Sequence, residues 1–439
     1  MKPKILTTIV GYTPRAFAAD AVAGMTVALV ALPLSIAIAI ASGAPPAAGL
    51  ATAVVAGFLI SALGGSRVQI GGPTGAFIVV VYGVIHAHGP NGLLVATLMA
   101  GAILVAAGLL RVGRLVQQVP EPVVEGFTIG IAIVIAVSQL KDLAGMTGGA
   151  LPADFVPKVE RLWQMRASIS PAALAMGVVT IAAILTLRRI LPKVPWPVVV
   201  VAAASAAVAV ALPGIETVAE RFGALPRSLP APRLPPLDVG LLLDLLPSAL
   251  TIAFLVGIES LLSAIVADRM IGSAHRSSAE LLAQGAANLA SPLFGGLPAT
   301  GAIARTATNV AAGGRTPVAG MIHALAIFGA MAAAAPLVGA LALPALAGLL
   351  IVTAWTMSEP NRWPERMCLP RLELGLLLLT AALTVLVDLT VAILVGTLLG
   401  LALRYFSKSP EPRRWHTPFV WIADRRNRRD PPKPDEPLT

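Results

Sequence analysis

The chain has 439 residues, of which 56% are hydrophobic and 12% charged, and its mean hydropathy is +0.83. Soluble globular domains carry about a quarter charged residues. One or two soluble domains could not bury this many apolar residues, so the composition indicates an integral membrane protein. The single cysteine, Cys368, excludes a disulfide framework and a cysteine metal site. We interpret the net charge of +10 as a topology signal rather than a nucleic-acid surface.

The chain divides into a short lead-in, a membrane region and a tail. Residues 1–20 resemble a signal peptide, but their apolar run is too short, and we interpret them as a cytoplasmic lead-in. Fourteen apolar segments follow, at 21–42, 47–64, 73–87, 91–110, 122–140, 171–191, 196–213, 245–267, 279–295, 299–312, 316–335, 339–357, 372–387 and 389–405. Residues 407–439 are basic and then Pro-rich, which predicts a short, disordered cytoplasmic tail.

Positive charge supports this number of spans. With a cytoplasmic N-terminus, 24 Lys and Arg residues fall inside and 7 outside. This asymmetry is the one that the positive-inside rule demands. We therefore expect a multi-pass protein of the cell inner (plasma) membrane with both termini in the cytoplasm.

Two of the segments, 73–87 and 299–312, are too short to cross roughly 30 Å of hydrocarbon as straight helices. They begin alike, with Gly-Pro-Thr-Gly-Ala at 72–76 and Pro-Ala-Thr-Gly-Ala at 298–302, and Thr74 and Thr300 lie 226 positions apart. Spans 1–7 (about 21–213) and spans 8–14 (about 245–406) therefore look like two copies. Because seven is odd, the copies have opposite topology, which predicts an all-α fold with a 7+7 inverted repeat.

The paired breaks predict a transporter site for an anion. A half-helix that starts inside the membrane presents unpaired N–H groups and the positive end of its dipole. We expect Pro73 and Pro298 to start the two half-helices, because proline lacks the N–H that would stay unpaired. The alternative is that the small residues only allow close helix contacts. The predicted substrate-binding residues are Thr74, Gly75, Ala76, Phe77, Ala299, Thr300, Gly301, Ala302 and Arg305.

Glu259 and Arg305 place ionisable groups inside predicted spans, where charge is costly and therefore indicates function. We expect Glu259, with Ser263 and Thr300, to hold a coupling sodium ion or carry a proton; the alternative is a structural hydrogen bond. Arg305 either adds positive potential to the anion site or pairs with Glu259 to hold the helices. Two further groups are expected to be simpler: Glu121 and Glu125 as caps of the fifth span, and Asp268, Arg269, Arg276 and Glu280 as a solvated cytoplasmic cluster.

At several of these motifs the sequence resembles the SulP family, the sulfate-permease-like anion transporters. The resemblance rests on Pro33–Ala39 with Ser42–Leu50, on Gly72–Phe77, on Gly257–Asp268 and on Pro292–Pro317. It implies a uracil-permease-type fold with a core domain (spans 1–4 and 8–11) and a gate domain (spans 5–7 and 12–14). It also implies homodimers, an elevator-like movement of the core, and substrates such as sulfate, bicarbonate, chloride or dicarboxylates.

The sequence departs from the family pattern at two places. Leu34 and Ile38 stand where the family often has a polar residue and a Tyr, so the substrate and coupling ion cannot be carried over. Most members have a cytoplasmic STAS domain after the last span, for which 33 tail residues are too few; the chain is either a natural short member or a truncated form.

We therefore predict a secondary active transporter of small inorganic or dicarboxylate anions in the lipid bilayer, with no cofactor besides sodium or a proton. A passive anion channel or exchanger of this fold is an alternative. A nucleobase permease is another, although it would place a carboxylate in the second half-helix, where this chain has Arg305. A membrane enzyme is disfavoured, because the five histidines are scattered and neither HExxH nor GxSxG occurs.

Overall fold

The computed structural model describes residues 2–113, 120–191, 194–211, 214–236, 238–387 and 389–406. Across these ranges the regular secondary structure is helical apart from one pair of two-residue strands and an isolated bridge between Thr217 and Ala342. The predicted tail at 407–439 lies outside them.

The longer helices are numbered here in chain order. They are α1 (Pro14–Ala41), α2 (Pro46–Leu63), α3 (Ile78–Leu109), α4 (Glu121–Ser138), α5 (Phe155–Gln164), α6 (Pro171–Ile190), α7 (Trp196–Ala211), α8 (Val239–Ile271), α9 (Ser277–Ala290), α10 (Ile303–Ala311), α11 (Pro317–Gly339), α12 (Leu343–Met357), α13 (Arg371–Leu386) and α14 (Leu389–Phe406). Short helices lie at Ile5–Thr8, Leu140–Leu143, Val218–Phe222 and Trp363–Met367, and 3-10 turns at Gly75–Phe77, Met165–Ser168, Ser291–Phe294 and Pro360–Arg362. The strands are β1 (Gly71–Gly72) and β2 (Thr300–Gly301).

Helix occupies each of the fourteen predicted segments. Within the described residues, seven helical stretches are long and apolar enough to cross a membrane by themselves, among them Pro14–Ala41, Gly75–Leu109 and Gly240–Ile271. The third and fourth predicted segments are the two arms of α3, which turns at Gly89 (φ 70°) just before Pro90. The prediction of an all-α polytopic membrane protein is confirmed.

Two helices start earlier than the sequence suggested. Helix α1 begins at Pro14, within the predicted lead-in, because the Thr13 side chain accepts a hydrogen bond from the backbone N–H of Ala16 at 3.2 Å and caps the first turn. Helix α8 begins at Val239 rather than near 245, because Asp238 caps it through the N–H of Leu241 at 3.2 Å. Hydropathy marks the apolar stretch, whereas a polar cap marks the helix end.

The first packed group of helices combines both predicted halves. Helix α11 packs on α1 and α2, α9 packs on α2 and α3, and α8 packs on α3 and α10. Gly101 on α3 faces Gly285 on α9, where a Cβ added to Gly101 would lie 3.0 Å from the Gly285 carbonyl oxygen. Small residues at such crossings let membrane helices approach closely. This group carries both strands.

The second packed group holds the remaining spans. Helix α13 packs on α4 and α14, α12 packs on α4 and α6, and α7 packs on α6 and α12. The two groups meet along a seam where α12 and α7 contact α1 and where α4 contacts α3. Helix α5, in the loop that follows α4, packs on α4 and α13.

Candidate functional site

The two chain breaks meet in one short antiparallel strand pair. Gly71 pairs with Gly301, and Gly72 pairs with Thr300. The N–H of Ala302 extends this pairing by donating to the carbonyl oxygen of Ile70 at 2.8 Å. Antiparallel chains leave a pair in opposite directions. Helices α3 and α10 therefore start close together and run apart, with both N-termini at the crossing.

Neither proline starts its half-helix, so that prediction is wrong. Thr74 is still extended, and a 3-10 turn at Gly75–Phe77 leads into α3. Helix α10 starts only at Ile303, well beyond Pro298. The residues around Pro298 are held extended by side chains, because the N–H of Leu297 donates to Thr52 Oγ1 at 2.6 Å and the N–H of Ala299 donates to Asn288 Oδ1 at 2.9 Å.

These contacts narrow the set of backbone donors that could face an anion. The N–H groups of Ala299 and Ala302 are already donated, to Asn288 and Ile70. The first N–H groups of a helix have no acceptor within it. The candidate backbone donors to an anion are therefore the N–H groups of the first residues of the two helical segments: Gly75, Ala76, Ile303 and Ala304.

The Arg305 side chain crosses from the second half of the chain to the first. It is 3% exposed, and its Nη2 donates to the carbonyl oxygen of Pro73 at 2.9 Å and to Ser35 Oγ at 3.2 Å. Its Nη1 is buried and has no hydrogen-bond partner among the described residues. Buried donors are normally paired. The crossing therefore holds a guanidinium N–H whose hydrogen-bonding capacity is unused.

Glu259 on α8 faces the same crossing from the side. Its Oε2 accepts a hydrogen bond from Thr74 Oγ1 at 3.0 Å, and its side chain is half-buried. Arg305 is close enough for the two charges to interact, but among the described residues no ion pair within 4 Å joins them. The structure therefore does not show the alternative, an ion pair between Arg305 and Glu259; Arg305 bonds Ser35 and the Pro73 carbonyl oxygen instead.

The two hydroxyls predicted to join Glu259 have other contacts. Thr300 Oγ1 donates to the carbonyl oxygen of Val256 at 3.3 Å. Ser263 Oγ lies 3.2 Å from Thr306 Oγ1, which also accepts the N–H of Ile70 at 3.0 Å. Ser263 and Val256, the partner of Thr300, each lie about one helical turn from Glu259 along α8, in opposite directions. A shared cation at Glu259, Ser263 and Thr300 stays a prediction.

The second helix group covers the start of α3. A Cβ added to Gly75 would lie 3.2 Å from Met357 Sδ on α12 and 3.5 Å from Ile135 Cδ1 on α4. Phe77 is buried and Ala76 half-buried. Ala304, next to Arg305 in α10, is exposed. Access to the crossing is therefore freer beside α10 than beside α12.

Sequence reasoning missed three groups at this site. Ser35 and the Pro73 carbonyl orient Arg305, and Gln69 donates through Nε2 to the carbonyl oxygen of Ser260 at 2.9 Å. Gln69 also fills the space beside Gly301, where a Cβ would overlap its amide. A polar Gln between Val68 and Ile70, two residues before Gly71, was the available signal, but its partner lies 191 positions away.

Two other charged groups differ from expectation. Glu280 is fully buried, not solvated: its Oε2 accepts the N–H groups of Gly65 at 2.9 Å and Ser66 at 3.2 Å. Glu125 is more than a cap, since it pairs with Arg366 at 3.2 Å and with Arg362 at 2.5 Å.

Glu359 completes this second network in the loop after α12. Its carboxylate lies 3.1 Å from Arg366 Nη2 and 3.2 Å from Arg362 Nη1. Burial raises the pKa of Glu359, although the two arginines oppose the shift. These charges hold the start of α4 to the α12–α13 loop and lie in a different part of the fold from Arg305.

Comparison with known proteins identifies relatives along most of the chain. Residues 17–380 match the model of the sulfate permease family. The "Putative sulfate transporter YvdB" of Bacillus subtilis is 40% identical over 407 residues, covering 92% of this chain and 77% of that protein. The bicarbonate transporter BicA of Synechocystis is 32% identical over 392 residues, covering 87% of this chain and 68% of that protein.

Solved structures agree with the fold. The transmembrane domain of a cyanobacterial bicarbonate transporter BicA superposes with a TM-score of 0.76 at 27% identity, covering 89% of this chain and 98% of that one. SLC26A9 shares the fold with a TM-score of 0.83 at 16% identity, covering 93% of this chain and 68% of that one. The family and these relatives are transporters rather than enzymes, and the chain belongs to the sulfate permease (SulP) family of anion transporters.

Proposed function

We propose that this protein is a secondary active transporter of small inorganic anions, of the sulfate or bicarbonate class, with dicarboxylates as the next candidates. Relatives named for sulfate and for bicarbonate transport support this substrate class. The anion is held between the N-termini of α3 and α10. The unpaired, buried Arg305 Nη1 at this crossing is the single observation that carries the proposal.

The chemistry of the crossing suits an anion of low or moderate charge. Two helix N-termini contribute partial positive charge, and Arg305 contributes a full one. Thr74 adds a hydroxyl, although it already donates to Glu259. Gly75 and Gly301 lack side chains, but Met357 and Gln69 occupy the space beside them. Glu259 offsets part of this positive charge. Its carboxylate would repel an arriving anion unless it binds a proton or a cation.

Glu259 is the proposed coupling group. A carboxylate held away from water next to a cation can exchange a proton or hold a sodium ion when the anion binds, which links the two movements. A co-bound cation also offsets the charge that the anion would carry across the hydrocarbon. A passive channel or an exchanger of the same fold would leave Glu259 as a structural acceptor for Thr74.

The two helix groups supply the moving parts. We assign α1–α3 and α8–α11 to the core domain and α4, α6, α7 and α12–α14 to the gate domain. The core moves like an elevator along the seam that α1 forms with α12 and α7, which carries the crossing from one side of the membrane to the other. The gate domain forms the homodimer, and both termini face the cytoplasm.

Uptake by purified protein in liposomes tests the proposal. Labelled sulfate and bicarbonate are offered with chloride, dicarboxylates or uracil as competitors, under imposed sodium or proton gradients. Gradient-driven accumulation that anions compete for is the expected result. Conductance without accumulation would identify a channel, and competition by uracil alone would identify a nucleobase permease.

A further inference from the structure

A lysine side chain is buried at one end of the membrane domain, in the segment between α4 and α6 (residues 139–170, here the α4–α6 end). Lys158 on α5 is 4% exposed, and its Nζ donates to Ser138 Oγ at 3.2 Å. The same Nζ lies 5.4 Å from the centre of the Tyr82 ring. A buried ammonium is costly unless it is paired. Its contacts in the described part of the chain are a hydroxyl and an aromatic face rather than a carboxylate.

Tyr82 joins this loop to the helix that carries the site. It lies on α3, little more than one turn beyond the 3-10 turn at Gly75–Phe77. Its hydroxyl donates to the carbonyl oxygen of Leu151. Its ring also covers Gly43 at the end of α1, where an added Cβ would lie 3.3 Å from Tyr82 Cδ2. One side chain therefore contacts the end of α1 and two parts of the loop after α4.

The seam between the helix groups is nearly closed beside this contact. A narrow crevice there is lined by Ala37 and Ile40 of α1, by Gln139 and Asp142 after α4, and by Leu343, Leu346, Ala347 and Leu350 of α12. The exposed residue next to Arg305 is Ala304 on α10, which runs away from α3. The crossing is thus covered at the α4–α6 end.

We infer that Lys158 and Tyr82 form a latch that closes the transport pathway at the α4–α6 end and must separate when the core domain moves. The inference rests on the alternating access proposed above. A cation over an aromatic face contributes more when it is desolvated, so water entry would itself weaken the latch. Burial also lowers the pKa of the Lys158 ammonium, although Asp154 opposes the shift.

Thiol accessibility in the seam tests the latch. Cys368 is replaced by serine, which removes the single native thiol, and Ile40→Cys places a reporter in the crevice. A membrane-impermeant maleimide is added from the α4–α6 side in proteoliposomes without substrate. Lys158→Met and Tyr82→Leu should each raise the labelling rate by about tenfold, and together by little more than either alone.

Two variants sharpen the result. Tyr82→Phe keeps the ring and loses the bond to Leu151, so it should give an intermediate rate even where Lys158→Met fails to fold. Arg166→Gln is the matched control, because Arg166 stacks on exposed Trp163 at 4.5 Å and should leave labelling unchanged. Unchanged labelling in all three latch variants would overturn the inference. Labelling is measured without substrate and is therefore independent of uptake. If the latch variants label faster but the protein accumulates no anion, the latch is retained and the proposed function is rejected.

Discussion

Arg305 Nη1 lies against Gly72, in the space that a Cβ at that position would fill. The two residues come from opposite halves of the chain and meet at the strand crossing. Gly72 also has φ 152°, a conformation that side-chain-bearing residues rarely adopt. One glycine therefore both permits the local backbone and makes room for the buried guanidinium.

The first prediction is that Gly72→Ala removes anion uptake. The added methyl group must push Arg305 away from the Pro73 carbonyl, and the backbone strain adds roughly 1–3 kcal/mol. Uptake and melting temperature are measured together. Gly83→Ala on α3 is the control, since no atom lies within 4 Å of a Cβ there. Normal uptake in Gly72→Ala would show that the position of Arg305 is unimportant.

Replacing the guanidinium itself should weaken anion binding. Arg305→Ala removes charge-assisted hydrogen bonds worth about 1.5–3 kcal/mol each, so the KM for the anion should rise about tenfold or more. Arg305→Lys keeps the charge but cannot bond Ser35 and Pro73 in the same geometry. Its KM should lie between that of the unchanged protein and that of Arg305→Ala. Arg233→Gln, at an exposed loop position, is the control. An unchanged KM in Arg305→Ala would remove Arg305 from the substrate site.

Glu259→Gln should separate binding from coupling. The amide oxygen can still accept from Thr74, so the fold and anion exchange should persist. Accumulation driven by a proton or sodium gradient should be lost, because the amide neither ionises nor neutralises a cation. Initial rates with and without the gradient provide the measurement. Full gradient-driven accumulation would make Glu259 structural.

The charge network after α12 should support stability rather than transport chemistry. Arg366 is 6% exposed and bridges Glu125 and Glu359, so Arg366→Met removes one of the two arginines that pair with these carboxylates and leaves Arg362 as the other. We expect a loss of about 1.5–3 kcal/mol, seen as a lower melting temperature in detergent. Glu365→Gln is the control, because its side chain is 64% exposed and lies 3.7 Å from Arg362; it should change stability by less than about 1 kcal/mol. Equal melting temperatures would show that the network is dispensable.

The sequence by itself determined the class of fold and located the two chain breaks that form the candidate site. Hydropathy is a local property, so the apolar segments could be read directly, and helix occupies all fourteen of them. Glycine and proline interrupt helices through their own backbone geometry, and the matched breaks near Thr74 and Thr300 therefore marked the crossing before any contact was known.

Only the tertiary structure decided the contacts that give this site its chemistry. The start of α10 was set by Asn288 and Thr52, which hold the preceding residues extended, and not by Pro298. Arg305 reaches Ser35 across 270 positions, and buried Glu280 reaches Gly65 across 215. Such partners follow from how helices pack, because periodicity within one segment carries no information about which distant side chain faces it.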